Sequence, residues 1–428
     1  MMKKIGSLFL IVCMAVSMLP VTTFAAETEG VLIYEISNGE AIITGVKSDP
    51  PETIIIPDTL GGYPVTKIAN HAFWYCSSSN IVIPNSVISI GTAAFDSSKI
   101  FSITIPDSVT DIGGAAFLKC ENLTSVTIPD SINSISDQMF YGCKNLSNIT
   151  VPNHITRIGY QAFEDCASLK RFDIPDTVTD IGFGAFAGCS ELTNITIPDG
   201  VTVINSTVFS HCYSLTNITI PKGVTSIGQS AFWACTNLSS ITLPENVTTI
   251  GSAAFGACYS LTHINIPVGV TSIPEMTFSS CTSLTEITIP NNVNSIGISA
   301  FENCDKLKII SFLGKAPILK RDSIPNRSDL TAYYPAEEES SYETAKEQFP
   351  DVNWMVASSV ISGDVNGDNT VNFQDAQLVL QYEAGLVTLS EEQLEAADVN
   401  GDGTINFQDA QLILQYEAGL IDSFDKKG

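Results

Sequence analysis

The residues best suited to chemistry form two nearly identical segments near the end of the 428-residue chain. DVNGDNTVNFQD spans 364–375 and DVNGDGTINFQD spans 398–409. Each places oxygen-bearing side chains at positions 1, 3, 5, 9 and 12 and a main-chain carbonyl at position 7, the spacing with which a twelve-residue loop surrounds Ca²⁺. Gly403 permits a sharp turn at position 6, where the first copy has Asn369, the next most tolerant residue. The sequence therefore predicts two Ca²⁺ sites.

Three helices are predicted to position these loops. The loops run into the helical segments FQDAQLVLQYEAG (373–385) and FQDAQLILQYEAG (407–419), which end at Gly385 and Gly419 as C-cap residues. A capping box of Ser390 and Gln393 predicts a short middle helix over about 391–397. No good helix enters either loop from its N-terminal side.

This arrangement resembles a type I dockerin, over about residues 363–421. Position 12 is Asp in both loops, where a calcium-sensing EF-hand has Glu. The resemblance implies a small all-α, calcium-binding domain that docks into a cohesin module of a scaffoldin, as in a cellulosome.

The resemblance also assigns roles to residues. It implies that one ion is held by Asp364, Asn366, Asp368 and Asp375 through side chains, by the Thr370 carbonyl, and by Asn372 directly or through water. The second ion would be held in the same way by Asp398, Asn400, Asp402, Thr404, Asn406 and Asp409. Cohesin contacts are implied at Phe373, Gln374, Leu380, Gln381, Phe407, Gln408, Leu414 and Gln415. Many dockerins have Ser-Thr in place of each Phe-Gln pair and a basic residue on the helix, so the cohesin class stays open.

The preceding part of the chain is a repeat array. Phe recurs eleven times from Phe73 to Phe301 at intervals of 22 or 23 residues, and Pro and Cys follow the same period. A fixed period of this length predicts a solenoid whose units bury their apolar sides against their neighbours. In the unit AFAGCSELTNITIPDGVTVIN (185–205) the alternation around Ile195 predicts a strand that ends at Pro198.

The repeat resembles the BspA-like leucine-rich repeats of bacterial surface proteins, over about 330 residues. Its units keep the order L-x-x-I-x-I-P, V-x-x-I-G and A-F-x-x-C. The expected fold is a leucine-rich-repeat solenoid with a parallel β-sheet face and about eleven turns of 22–23 residues. The resemblance implies a scaffold for binding a protein or a surface and identifies no particular ligand.

These features predict six segments. They are a signal peptide (1–25), an N-terminal cap (26–70), the solenoid (71–304), a C-terminal cap (305–356), a linker (357–362) and the dockerin (363–428). The signal peptide is predicted from Lys3 and Lys4, a short apolar run and small residues before a cleavage site after Ala25. We therefore expect a secreted monomer, without membrane insertion, held at a cell surface or substrate through a cellulosome.

The net charge excludes one class of partner, and the cysteine spacing indicates whether disulfides form. The chain has 20 basic and 46 acidic residues, and loss of the signal peptide removes two lysines and no acid, which gives a net charge of −28. Nucleic acid is therefore not an expected partner.

Nine cysteines, Cys120 to Cys304, share one repeat position. Their side chains should be parallel, which suits disulfide formation poorly, so a buried, reduced column is predicted.

Three functional hypotheses remain at this point. The first is a non-catalytic protein whose solenoid binds a protein, a surface or a carbohydrate and whose dockerin binds a cohesin. The second is an enzyme, for example a hydrolase, with its active site in the solenoid or its C-terminal cap. The third is a freestanding adhesin with a vestigial dockerin. No catalytic motif was found in the sequence, so the first hypothesis is preferred.

Overall fold

The computed structural model describes residues 27–357, 361–367, 370–421 and 423–424. The predicted signal peptide lies outside these residues, as do Asp368 and part of the predicted linker, 358–360. The chain divides into two compact units, residues 1–261 and 262–428.

The first unit begins with three antiparallel strands. Glu27–Glu29 pairs with Leu32–Ser37, which pairs with Glu40–Val46. Glu40–Val46 then pairs in parallel with Tyr63–Ile68, and Thr59–Leu60 pairs with Tyr63–Ile68 in antiparallel fashion. The change from antiparallel to parallel pairing marks the start of the stacked turns.

One side of each turn is a strand that precedes the repeat proline. In the first unit these strands are Thr53–Ile55, Asn80–Val82, Ser102–Thr104, Ser125–Thr127, Asn148–Thr150, Arg171–Phe172, Asn194–Thr196, Asn217–Thr219 and Ser240–Ile241. Neighbours pair in parallel at the repeat interval, as Ile195 does with Ile218. Ile195 is buried while Asn194 and Thr196 are exposed, so the predicted alternation is confirmed.

A second side consists of two-residue strands that follow the turn at the proline. In the first unit they are Ser89–Ile90, Asp111–Ile112, Ser134–Ile135, Arg157–Ile158, Asp180–Ile181, Val203–Ile204, Ser226–Ile227 and Thr249–Ile250. The isoleucine of each is buried and the residue before it lies toward solvent. The two strand sides thus share one apolar interior.

The third side is a run of tight turns around the repeat phenylalanine, and we call it the turn side. The N–H of the repeat Phe donates to a carbonyl of the next turn, as from Phe163 to the oxygen of Ala185 at 2.8 Å, and this contact recurs along the turn side. The rings stack along the interior with centroids 5.2–5.9 Å apart in the first unit. Turns approach so closely that a Cβ on Gly113 would lie 2.5 Å from the backbone nitrogen of Thr92.

The ten cysteines from Cys76 to Cys304 are buried and form no disulfide. The thiol of Cys143 donates to the Phe117 carbonyl of the previous turn at 3.1 Å, and this contact recurs along the column. Burial raises the pKa of Cys120 to about 12 and that of Cys143 well above its ordinary value. The thiols are therefore protonated donors between turns, and their low thiolate content makes them poor nucleophiles.

The cysteine column leads to a first test. We expect thiol titration of the denatured, unreduced protein to find about ten free thiols among residues 26–428, because the ten cysteines there are buried and form no disulfide. A sample reduced and then desalted before titration is the control and should give the same value. A mass consistent with five disulfides in the unreduced sample would contradict the reduced column.

The second unit continues the repeat and is followed by helices. Its strands before the turn are His263–Ile264, Glu286–Ile289, Ile309–Phe312, Thr331–Tyr334 and Asn353–Val356, and its short strands are Ser272–Ile273, Ser295–Ile296 and Ile318–Leu319. A 3₁₀ helix covers Ala336–Tyr342, and α-helices cover Glu343–Gln348, Phe373–Glu383, Glu391–Ala397 and Phe407–Glu417. No described helix has both the length and the apolar character needed to cross a membrane.

The solenoid fold is confirmed, but the expected number of turns was low. Counting the strands before the turn in the described residues gives nine in the first unit and five in the second, hence fourteen turns rather than about eleven. The additional turns include those of Thr331–Tyr334 and Asn353–Val356, which pair in parallel although the sequence repeat is no longer recognisable there. Their interior holds a cluster of Phe312, Tyr342 and Trp354 in place of the Phe and Cys columns.

Candidate metal centre and partner surface

The two long helices of the C-terminal region begin in the same way. Asn372 caps the first helix by accepting a hydrogen bond from the Gln374 N–H at 2.8 Å, while Asp375 accepts one from the Asn372 N–H at 2.9 Å. Asn406 and Asp409 form the same capping box at the second helix. Loop positions 9 and 12 therefore start each helix as well as ending each loop.

The carboxylates at position 12 are the most enclosed polar groups of this region. Asp375 and Asp409 are both fully buried. The second oxygen of Asp375 accepts from the Asn366 N–H at 2.9 Å, and that of Asp409 accepts from the Asn400 N–H at 3.3 Å. Burial raises the pKa of Asp409, and the hydrogen bonds from Asn406 and Asn400 oppose that shift. Each carboxylate thus ties the start of its loop to the start of its helix.

The other oxygen side chains of the second loop are directed at the loop's own backbone. Asp398 accepts from the N–H groups of Asp402 and Gly403, at 3.2 and 3.0 Å, and Asn400 accepts from Asp402 at 2.8 Å. Asp402 in turn accepts from the Thr404 N–H at 2.8 Å. Gly403 has a φ of +78°, so position 6 uses the left-handed conformation that the sequence predicted.

The first loop has the same features where the structure describes it. Asp364 is buried and accepts from the Gly367 N–H at 2.8 Å. The amide of Asn372 donates to the Thr370 hydroxyl at 2.9 Å. Asp368 and Asn369, at positions 5 and 6, lie outside the described residues. Hydrogen bonds join Asn366 and Asn372 to Asp375 and join Thr370 to Asn372, while the position of Asp368 is not described.

The residues fit Ca²⁺ by the chemistry of their donor atoms. All predicted ligands offer oxygen, which is typical of hard cations. Residues 363–428 contain thirteen acidic residues and only two lysines, Lys426 and Lys427, and no basic residue occurs between Lys346 and Lys426. Within the described residues no three carboxylate, imidazole or thiol groups converge on a common point. The ligand roles therefore stay a prediction, supported by donor type and charge.

A small apolar core joins the two copies. Buried Val379 and Ile413, one from each long helix, share a cluster with alanines and valines of the loops and the short helix. The remaining buried members are Val365, Ala376, Ala396, Ala397, Val399 and Ala410. Such a core, made largely of small side chains, buries little apolar surface.

The predicted partner residues lie at the surface in matching pairs. Phe373 and Phe407 are 57% and 59% exposed, and Leu380 and Leu414 are 39% and 38% exposed. Gln374 and Gln408 are exposed, and Gln381 and Gln415 are partly exposed. Their occurrence in matching pairs makes these exposed side chains candidates for an interface.

Two further residues belong with this set and were missed in the sequence. Leu386 and Leu420 are 75% and 74% exposed, the highest values among the large apolar residues of this region. The length of the duplicated segment is the sequence feature that could have identified them. Segments 364–386 and 398–420 differ only at Asn369/Gly403, Val371/Ile405 and Val379/Ile413, so identity continues through both leucines.

Comparisons with known proteins identify both parts of the chain. A family profile described as "BspA type Leucine rich repeat region (6 copies)" matches overlapping segments that span 66–331, more than half of the chain. A profile described as "Dockerin type I domain" matches 362–416. No curated protein sequence matches the chain.

Solved structures of bacterial leucine-rich repeat proteins are similar to the chain. The pneumococcal vaccine antigen PcpA is 18% identical with a TM-score of 0.54, and the match covers 78% of this chain and 98% of PcpA. A leucine-rich cell surface protein from Faecalibacterium prausnitzii A2-165 is 27% identical with a TM-score of 0.49, covering 78% and 96%. A leucine-rich repeat protein from Bacteroides ovatus ATCC 8483 is 24% identical with a TM-score of 0.49, covering 77% and 99%.

The likeness to PcpA supports the solenoid fold alone. Membership rests on the family profiles together with the stacked turns and the duplicated loop–helix units. The chain belongs to the BspA-type leucine-rich repeat proteins and carries a type I dockerin domain at its C-terminus.

Proposed function

We propose that this protein is an exported, non-catalytic adaptor of a cellulosome-type assembly. Its dockerin binds a type I cohesin module of a scaffoldin in a Ca²⁺-dependent manner. Its solenoid binds a protein, a surface or a carbohydrate and is thereby carried into the assembly. Both families are non-catalytic, and dockerins and BspA-type repeats are typical of extracellular or cell-surface proteins.

The observation that carries this proposal is the equivalence of the two loop–helix copies. Helix caps, buried position-12 carboxylates and exposed Phe and Leu side chains correspond pair by pair. Folding requires the caps and the buried carboxylates. It does not require two exposed phenylalanines, since an exposed ring contributes little to a core. Their retention in both copies supports a binding surface presented twice.

Calcium would act here by organising the loops. Asp364, Asn366, Asp368, Thr370, Asn372 and Asp375 are the proposed ligands of one ion. Asp398, Asn400, Asp402, Thr404, Asn406 and Asp409 are those of the other. The bound cations would offset the acidic charge, while Asp375 and Asp409 keep each loop joined to its helix. Phe373 and Phe407 would then be held at the helix starts for contact with the cohesin.

Retention on immobilised type I cohesin modules tests the adaptor role. We expect the full chain to be retained in Ca²⁺, because the Phe-bearing helix starts are then ordered, and to be released by chelator. A truncation after residue 357 is the control and should flow through. Failure of the full chain to bind any of a panel of type I cohesins in Ca²⁺ would contradict the adaptor role and favour a freestanding adhesin.

The non-catalytic part of the proposal has a separate test. Purified full chain is expected to release no product from plant polysaccharides or protein substrates, because its folded parts are two binding families. Turnover that survives purification and is lost in a single point variant would overturn it.

A further inference from the structure

Two aromatic side chains at the surface of the first unit depart from the repeat. Trp74 and Tyr75 are 55% and 67% exposed, immediately before Cys76. The Trp74 position is also aromatic in two other turns, as Tyr141 and Trp233, but no other turn from Phe73 to Phe301 has aromatic rings at both positions. Because both rings lie outside the apolar interior, stacking of the turns does not account for them.

The two rings are part of a continuous aromatic surface. The centroids of Trp74 and Tyr75 are 4.9 Å apart, with the ring planes inclined at 58°. The imidazole of His71, also exposed, meets the Trp74 ring edge-on at a centroid distance of 6.3 Å. The three rings thus offer an apolar surface bordered by a polar imidazole.

A groove of about 350 Å³ begins at Tyr75 and crosses the next two turns. Tyr75, Ser97 and Lys119 occupy one repeat position on three successive turns and all have positive φ. The groove is otherwise lined by Ser98, Lys99, Glu121 and Asn122. Two turns at ~4.8 Å each separate the Tyr75 ring from Lys119, so the groove is about 10 Å long.

The charge of this groove opposes that of the whole chain. Lys99 and Lys119 line it in a protein with 20 basic and 46 acidic residues. Its single acidic side chain, Glu121, is engaged by Lys144 at 2.7 Å. Gly142, which follows Lys119 in the column, leaves room for the lysine stem, since a Cβ there would lie 3.0 Å from its Cγ. The groove is therefore suited to an anionic group.

We propose that the Trp74–Tyr75 surface and this groove bind an oligosaccharide that contains uronic acid. A pyranose ring packs its C–H face on an aromatic ring, its hydroxyls can bond to Ser97 and Asn122, and its carboxylate is complementary to Lys99 and Lys119. An apolar peptide fits less well, because hydroxyl, amide and charged groups line the groove rather than aliphatic side chains. The assignment deepens the solenoid half of the proposed function and rests on it.

Calorimetric titration of the full chain in Ca²⁺ tests the proposal. The probes are oligogalacturonate, oligomannuronate and glucuronoxylan fragments, with cello-oligosaccharide as the neutral comparison. We expect at least one uronate probe to bind more tightly than the neutral one. The affinity should fall about tenfold or more in Trp74→Ala and Tyr75→Gly, since buried aromatic anchors carry much of a binding energy. Lys119→Gln should weaken binding and reduce its salt dependence.

Two controls separate binding from folding. Tyr75→Gly places glycine at a left-handed position that Gly142 and Gly188 already occupy in other turns, so its Tm should not fall. Phe183→Ala removes another half-exposed ring of the same unit and should leave binding unchanged. Cohesin retention should be unaffected in every variant, so failure of the glycan assignment is distinguishable from failure of the adaptor role.

Three results would overturn the assignment. The first is no binding of any uronate probe at millimolar concentration. The second is binding that Trp74→Ala and Tyr75→Gly leave intact. The third is equal affinity for the neutral and acidic probes, which would remove the role of the lysines.

Discussion

Removal of Ca²⁺ is expected to unfold residues 363–428 while the solenoid stays folded. The fully buried part of the dockerin core consists largely of valine and alanine, and its leucines and Phe424 are only partly buried. The region carries thirteen acidic residues against two lysines. A domain of this size seldom stabilises itself by apolar burial alone. Each occupied site contributes about 4 kcal/mol at a Ca²⁺ concentration a thousandfold above its Kd. Removal of both ions should therefore cost more free energy of folding than burial of the small core contributes.

Calorimetry of the full chain measures this directly. In Ca²⁺ we expect two thermal transitions, and in chelator only the one that belongs to the solenoid. Helical circular dichroism should fall with chelator and return with Ca²⁺. Asp375→Ala and Asp409→Ala are a matched pair, and each should lower only the dockerin transition. Equal helicity with and without Ca²⁺ would show that the loops fold without metal.

Loss of both Phe-Gln pairs is expected to abolish cohesin binding, whereas loss of one pair should lower the affinity only slightly. Because the two surfaces are equivalent in sequence and exposure, we expect either one to engage a cohesin, in orientations about 180° apart if a two-fold axis relates them. Removing one surface then lowers the affinity only by the statistical factor of two, which is about 0.4 kcal/mol of binding free energy. Removing both eliminates the aromatic anchors and costs several kcal/mol, in the range of ~2–4 per hot spot.

The variants follow from the matched positions. One carries Phe373→Asp and Gln374→Asp, a second carries Phe407→Asp and Gln408→Asp, and a third carries all four changes. Glu392→Gln, on the short helix, is a surface control that should bind normally. Their affinities for one cohesin are compared by titration. If either double variant alone abolishes binding, the protein has a single functional surface and the duplication has no role in binding.

The duplicated loops show what sequence can predict of a site. Donor type and spacing predicted Ca²⁺ chemistry, and the capping boxes at Asn372 and Asn406 are the structural counterpart of that spacing. The sequence did not show that Asp375 and Asp409 also link each loop to its helix through backbone N–H groups. Such contacts depend on the path of the loop backbone, which residue spacing alone does not determine.

The fold was predictable wherever the apolar period was visible. The columns of Leu192, Ile195, Phe186 and Cys189 are buried as expected. The turns near Thr331–Tyr334 and Asn353–Val356 were missed because the parallel ladder needs only backbone groups. Once aromatic side chains fill the interior, Phe and Cys no longer mark the period. Trp74 and Tyr75 carry no periodic signal as a pair, because no other turn from Phe73 to Phe301 has aromatic rings at both positions.

The hydrogen bonds of the turn side run in one direction, opposite to those beside the short strands, where the N–H of Gly113 donates back to the Ile90 carbonyl of the previous turn. At least ten Phe N–H groups between Phe73 and Phe301 donate toward the C-terminal end, at 2.7–3.1 Å from their acceptors, so the peptide dipoles of this side add along it. One end of the turn side therefore presents oxygen atoms and the other presents N–H groups, in the opposite sense to an α-helix. The terminal turns are therefore not interchangeable. A protein engineer could delete or add whole internal turns. A cap moved from one end to the other, however, would bring N–H groups against N–H groups, or oxygen atoms against oxygen atoms, on the turn side.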